Sequence, residues 1–409
     1  MKKLIVALLT IVILNSAFLI QNCKSQWIQT SDPYGGTVYA LAASGINLFA
    51  GTMGNGVFLS TNNGNNWATV NNGLGSTLIQ CLIFSGGNLF AGGAGSGVFL
   101  STNFGTSWTA VNNGLTNKVI ESLAESGNNL YAGTNIGVFL STNNGTNWTL
   151  MNNGLPSSAI ISLAISGTNI FAGTFQGVYL STNNGSTWTA AGLPNESIFA
   201  LAVSGTNIFA GAWGNGVFLS TNNGTNWAFA NVGLTNKNVR DLIVSGANLF
   251  AATGGGIFLT TNNGTNWIAK NQGISPMQVF FCFALKDNYI FTGAQYGSIW
   301  RRLISEIIGI SNISTEIPLA YSLSQNYPNP FNPTTKIKFD VAIVKQASLL
   351  VTLKVYDITG SEVQTLVNER LQPGTYEATF NGSALNSGVY FYRMETSSFV
   401  ETKKMLFLK

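Results

Sequence analysis

Ile120-Glu121-Ser122-Leu123-Ala124, Leu130-Tyr131-Ala132-Gly133, Gly137-Val138-Phe139-Leu140-Ser141-Thr142 and Asn147-Trp148-Thr149-Leu150 are four short runs set close together in the chain. Between them lie Ser126-Gly127-Asn128-Asn129, Asn135-Ile136 and Asn143-Asn144-Gly145-Thr146. Glycine supplies positive φ in such turns, and Asn bonds its own backbone there. No run has a helical period, so the stretch reads as four strands joined by tight turns. The unbroken V-F-L core of the third run suits a strand buried on both faces.

The same pattern recurs along most of the chain. Trp27, Trp67, Trp108, Trp148, Trp188, Trp227 and Trp267 stand about forty residues apart. The glycine that opens the third run recurs at Gly56, Gly97, Gly137, Gly177, Gly216, Gly256 and Gly297. A fixed period of this size means one supersecondary unit copied many times. The first Trp has no glycine run before it, and the last glycine run has no Trp after it. Each end holds what the other lacks, as expected of a ring closed by its own termini. The expected fold is all-β: a seven-bladed propeller of four-stranded blades over 26–302. Trp27-Ile28-Gln29-Thr30 is expected as the outer strand of the last blade, whose inner strands run from about Val279 to Trp300.

Composition narrows the function. Charged residues are only 8% of the 409, and Asn, Gly, Ser and Thr take their place on the surface. The net charge of +4 is misleading, because Lys2, Lys3 and Lys24 sit in the leader. Residues 27–302 hold seven basic and six acidic side chains, too even a balance for a phosphate-binding patch, so no nucleic acid partner is expected. Residues 1–25 read as a signal peptide, with Lys2 and Lys3 before an apolar stretch and Cys23-Lys24-Ser25 before a cleavage point at Gln26. A lipoprotein anchor at Cys23 is the second choice. No membrane span is expected in the mature chain, which is expected to be a monomer. Cys81 and Cys282 fall in units two and seven with unit one between them, too far apart to form a disulfide.

The turn before each Trp resembles the Asp-box, or BNR, motif, Ser-x-Asp-x-Gly-x-Thr-Trp. Here it reads Ser60-Thr61-Asn62-Asn63-Gly64-Asn65-Asn66-Trp67, and it recurs from Ser101, Ser141, Ser181, Ser220 and Thr260. Every copy has Asn where the motif has Asp. Asn still accepts the turn's N–H bonds, but it is a poor ligand for a hard cation, so no metal is expected. The motif occurs in sialidases, xyloglucanases, sortilin-like receptors and photosystem assembly factors, and implies a fold rather than a chemistry.

After Arg302 the composition shifts. Residues 303–318 read as a linker and 319–409 as a small Ig-like β-sandwich. The tail carries Pro328-Asn329-Pro330-Phe331-Asn332-Pro333, then Gly388-Val389-Tyr390, then Lys403-Lys404. It closely resembles the type A C-terminal sorting domain of the type IX secretion system of Bacteroidetes-type bacteria, apart from a few extra residues around Val344–Leu349. The resemblance implies a partner, the type IX machinery, and a secreted or outer-surface location. In that family the tail is commonly removed and the cargo attached to surface lipopolysaccharide.

No His is present, which excludes Ser-His-Asp, Cys-His and His-metal designs, and no cofactor is expected. The three separated arginines that a sialidase resemblance would require are missing; the propeller has Arg240 and the adjacent pair Arg301 and Arg302. A two-carboxylate glycosidase would rest on Glu196 and Asp241, on neighbouring units, unless Asp241 merely pairs with Arg240 or Lys237. The favoured reading is non-catalytic binding of an extracellular glycan or protein; the alternatives are a glycoside hydrolase acting on polysaccharide and a structural surface-layer component. The Asp-box face is nearly uniform from copy to copy. The opposite face, with its second-to-third-strand and blade-to-blade turns, varies at Met53, Asn135, Phe175, Trp213, Gln295, Tyr296, Tyr34, Glu196, Lys237, Arg240 and Met277. Variable turns on a rigid frame are free for recognition. The candidate ligand-binding residues are Trp213, Phe175, Tyr296 and Arg240.

Overall fold

Each glycine-led run forms the third strand of a four-stranded antiparallel sheet. In the computed structural model Gly137–Ser141 pairs with Asn129–Thr134 on one side and Thr149–Leu150 on the other, and Ile120–Ser126 completes the blade. The structure describes residues 26–409 apart from 32, 34–35, 276, 315–316, 343–348, 372 and 384. The expected signal peptide, Tyr34 and most of the insertion near Val344–Leu349 lie outside the described residues.

Blades one to six begin at Val38, Ile79, Ile120, Ile160, Ile198 and Val239. Blade seven takes its three inner strands from Phe280–Lys286, Tyr289–Ala294 and Ile299–Leu303. Its outer strand is Ile28–Gln29, with Ile28 opposite Arg301 and Gln29 opposite Trp300. The ring is therefore closed by the N-terminal strand, as the out-of-phase markers require, and the first strand of blade one packs against that of blade seven.

Burial explains the repeat. Phe49, Phe90, Tyr131, Phe171, Phe209, Phe250 and Phe291 occupy one position of the second strand, and all are fully buried. Gly51 stands where a Cβ would come within 2.6 Å of Ile79 in the next blade, so glycine there lets neighbouring sheets approach. The Asp-box Trp ties blade to blade: Trp108 donates its indole N–H to the Val70 carbonyl at 2.7 Å and Trp148 to Val111 at 2.8 Å. Trp27 does the same to Lys270 at 2.6 Å, so the closing strand carries its own staple. Within the turn, the Asn62 side-chain oxygen accepts the Asn66 amide at 2.9 Å and Ser60 accepts Gly64 at 2.8 Å. Asn fills the fold role of the motif's Asp.

The seam between blades seven and one is bonded differently. Trp67 has a buried indole N–H with no acceptor. Blade seven instead grips the blade-one turn with charged groups: Lys286 donates to Asn63 at 2.7 Å, and Arg301 donates to the Asn63 carbonyl and to Asn65.

Residues 303–314 of the segment expected to be a linker form regular structure. Ile304–Ile308 is a short helix, with Ile304 and Ile307 buried among propeller residues. Ile310–Ser314 is a strand that pairs with Gly374–Asn381, so the sandwich begins earlier than Leu319. Its sheets are 310–314, 374–381, 334–341 and 322–323 in one layer, and 362–371, 349–356, 388–395 and 400–407 in the other. Phe331, Ile337, Val355, Tyr392, Met405 and Phe407 lie in the core between them.

Candidate functional site

The first strand of every blade carries a β-bulge near its start. The register slips across Tyr39, Gln80, Glu121, Ile161, Phe199, Arg240 and Phe281, one in each blade. A bulge inserts an unpaired residue and re-aims its side chain. All seven line a cavity of about 360 Å³ on the propeller axis. Below this outer ring lies a second one of small or polar residues, Ala40, Cys81, Ser122, Ser162, Ala200, Asp241 and Cys282. Leucines from five of the blades, with Phe283 of blade seven, follow beneath. The outer ring differs from blade to blade while the frame repeats.

Three of the four residues expected to bind ligand converge at the mouth of this channel. Arg240 lies with its guanidinium carbon 4.7 Å from the centre of the Trp213 ring and 4.4 Å from that of Phe281. Trp213 contacts Phe199 at 5.6 Å, Phe199 contacts Phe175 at 6.1 Å, and Phe281 contacts Tyr39 at 5.0 Å. The result is one arc, Phe175–Phe199–Trp213–Arg240–Phe281–Tyr39, running over blades four to seven and into blade one. Trp213 is 43% and Phe175 50% exposed, so both rings keep surface open to solvent even though Arg240 covers part of Trp213. Tyr296 is separate from this arc: it is 85% exposed in the single turn Gln295–Gly297, with φ of 63° and no ring partner among the described residues. Arg240 itself was expected in a blade-to-blade turn but sits on the bulge of the inner strand.

The carboxylates are arranged otherwise than expected. Glu196 is held in its turn by Asn215, whose amide reaches both carboxylate oxygens at 3.1 and 2.8 Å. Asp241 points into the channel. One of its oxygens accepts the Leu242 amide at 2.8 Å and the other the Phe283 amide at 2.7 Å. Glu196 is not among the residues that line the channel, and among the described residues Asp241 forms no ion pair with Arg240 or Lys237. Burial pushes the Asp241 carboxyl up to about 7, against the opposing pull of those two amides. Glu121, in blade three, is the other carboxylate of the channel, and burial raises it too. Gln80 reaches Glu121 at 3.1 Å in the amide orientation that satisfies both groups. Cys81 and Cys282 are free thiols, both pushed up by burial, and so stay protonated.

Sequence reasoning missed Phe199, Phe281, Tyr39, Gln80 and Glu121. Their signal was present: they share one column of the repeat, the second residue of each blade's first strand, and that column varies in chemistry from Ile to Arg. The column reads as strand rather than turn, and the bulge that re-aims it shows only against the partner strand's register.

In the tail, the proline-rich motif and Gly388 lie where the final strand finishes, and Lys403 and Lys404 lie midway along that strand. Phe331 is buried against Phe407 with ring centres 5.0 Å apart, and its amide donates to Leu406 at 3.0 Å. Asn329 accepts the Leu406 amide at 2.9 Å. The proline-rich motif and the final strand are thus stitched together, although about seventy residues separate them in the chain. Gly388 and Tyr390 pair with Phe407 and Met405 in that same strand, and Lys403 forms an ion pair with Glu401 at 2.9 Å.

Comparison with known families fits this division. Residues 325–408 match the secretion system C-terminal sorting domain, and residues 33–170 match the DUF6242 beta propeller domain. No curated protein matches the chain. Among solved structures, YCF48 from Cyanidioschyzon merolae is similar with a TM-score of 0.52 at 15% identity, over 68% of this chain and 99% of that one. PorZ, described as an essential bacterial surface component of the type-IX secretion system of Porphyromonas gingivalis, is similar with a TM-score of 0.53 at 18% identity, over 91% of this chain and 60% of that one. The GH74 xyloglucanase of Xanthomonas campestris has a TM-score of 0.54 at 14% identity, over 83% of this chain and 63% of that one. Likeness at these identities is one of fold. The chain is a β-propeller joined to a type IX sorting domain, and so a secreted or cell-surface protein of Bacteroidetes-type bacteria. No helix among the described residues is long and apolar enough to cross a membrane.

Proposed function

We propose that the propeller is a non-catalytic module that binds an extracellular glycan at the mouth of its axial channel, after export through the type IX machinery. The observation that carries this reading is the open arc from Phe175 to Tyr39 with Trp213 at its centre. Exposed aromatic faces stack on the apolar faces of sugar rings, and a cavity of about 360 Å³ accepts one end of a chain rather than a folded partner. A protein ligand would have to enter through a loop or terminus. The test is a glycan-array screen of the secreted protein followed by titration of the best ligand. Trp213→Ala should lose about 2 kcal/mol or more of affinity with the fold intact. Asn144→Ala, on the Asp-box face, should bind as wild type. Equal affinity in Trp213→Ala would remove the site.

The runner-up is glycoside hydrolysis, and the channel gives it a different pair from the one expected: Asp241 and Glu121, both raised by burial. Against it, both Asp241 oxygens already accept backbone amides. Release of reducing sugar from a polysaccharide by wild type but not by Asp241→Asn would favour the enzyme.

A further inference from the structure

Arg240 is a cation packed against two aromatic rings, with no hydrogen-bond or ion-pair partner among the described residues. Trp213 and Phe281 lie over its guanidinium at 4.7 and 4.4 Å. Its Nε is buried and has no hydrogen-bond partner. The other two arginines of the propeller are engaged through their terminal nitrogens, Arg301 by Asn63 and Asn65 and Arg302 by Gln272 at 3.0 Å. The Nε atoms of Arg301 and Arg302 are buried without a partner as well, so what sets Arg240 apart is that its terminal nitrogens donate to no protein group among the described residues. Stacking leaves the planar edge of a guanidinium free, and that edge matches the two oxygens of a carboxylate.

The surroundings suit such a guest. Arg240 stands at the rim of the channel, on a bulge, beside the exposed ring of Trp213. Asp241 is turned away from it, with both oxygens held by the amides of Leu242 and Phe283. Glu121 is three blades away around the ring and is met by Gln80. Neither carboxylate therefore neutralises the arginine edge.

We propose that the channel mouth selects a carboxylate-bearing sugar, with the carboxylate on the edge of Arg240 and the sugar ring against Trp213. This rests on the reading of the arc as a glycan site and names the class of glycan. A uronic acid residue has the required form, since its planar carboxylate projects from one edge of a ring whose face is apolar. The bond is charge-assisted and partly shielded from solvent, so it weakens with added salt less than an exposed pair would.

The test is calorimetric titration of the full secreted chain with a galacturonic acid trisaccharide, its methyl ester and a neutral galactose trisaccharide. The acid should bind about tenfold or more tightly than its ester in wild type, as expected for a charge-assisted bidentate contact. That preference should vanish in Arg240→Gln and shrink in Arg240→Lys, which keeps the charge but lacks the fork. Melting curves of both variants report folding, and the acid-against-ester comparison in wild type needs no variant at all. If acid, ester and neutral sugar bind alike and all depend on Trp213, the carboxylate proposal falls and the glycan site stands. If no saccharide binds wild type at millimolar concentration, both fall. A sulfated trisaccharide binding more tightly than the carboxylated one would overturn the choice of anion. A peptide ending in Glu that binds more tightly than every sugar, through Arg240, would overturn the choice of glycan.

Discussion

Asp241 of blade six accepts the amide hydrogen of Phe283 in blade seven at 2.7 Å, so a carboxylate inside the channel bridges two neighbouring sheets. The second ring of the channel otherwise holds small side chains and thiols, which leaves this bridge in a poorly solvated place.

Its ionisation ties stability to pH. Burial holds the folded-state value at about 7, above the ordinary 3.8. Between these values the folded chain keeps a proton that the unfolded chain has released, so stability falls as pH rises through that window. The full effect is up to about 4 kcal/mol. Melting temperature should therefore drop between pH 5 and pH 8 in wild type. Asp241→Asn should show a flatter profile, at some cost at every pH because one of the two amides loses its acceptor. An unchanged slope in that variant would show that Asp241 does not set the dependence.

The tryptophan staples should not be equivalent. Trp148→Phe removes an indole bond of 2.8 Å to Val111 and strands a carbonyl, which should cost about 1 kcal/mol beyond the lost ring area. Trp67 has no such partner, so Trp67→Phe should be the milder change. Trp27→Ala empties a fully buried site in the closing strand and should cost about 3–5 kcal/mol. Denaturant melts of the three variants give the order; a wild-type midpoint for Trp27→Ala would count against closure by the N-terminal strand.

Phe104 occupies the turn position held by Asn63, Asn144, Asn184, Asn223 and Asn263, and all six have φ between 53° and 57°. Phe pays a steric penalty there that Asn largely avoids. Phe104→Asn should raise stability by about 0.5 kcal/mol, the gain in backbone strain outweighing a loose ring contact with Phe84 at 6.2 Å. A fall in melting temperature would mean that the Phe84 contact matters more than the backbone.

The helix at Ile304–Ile308 fixes where the export tail can be cut. A chain ending at Ile308 keeps the helix against the propeller and drops the strand Ile310–Ser314, which has no role without its sandwich partner. Such a chain should fold but remain in the periplasm, as read by fractionation and surface protease treatment. Its appearance on the cell surface would show that the sandwich is not the address.

The sequence by itself determined the blade count, the four strands per blade, the closing strand and the nature of the tail. Those follow from local rules repeated many times: Asn-Gly turns, two-faced apolar strands, and a Trp at a fixed period, each read within one unit. It also picked out Trp213, Phe175 and Arg240, because copies of one unit can be compared with each other. What only the tertiary structure decided is where seven separate strands point. A bulge is a two-strand property, since it exists only relative to the partner's register, and nothing in Val239-Arg240-Asp241 alone announces it. Closing the ring then brings Tyr39 of blade one beside Phe281 of blade seven, and stacks Arg240 on two rings from different blades. Packing of blade six on blade seven likewise gives Asp241 the Phe283 amide of a neighbouring sheet in place of an ion pair with Arg240 or Lys237. Strand identity is local and legible from one repeat; the channel is made by the angle between repeats, which no single repeat contains.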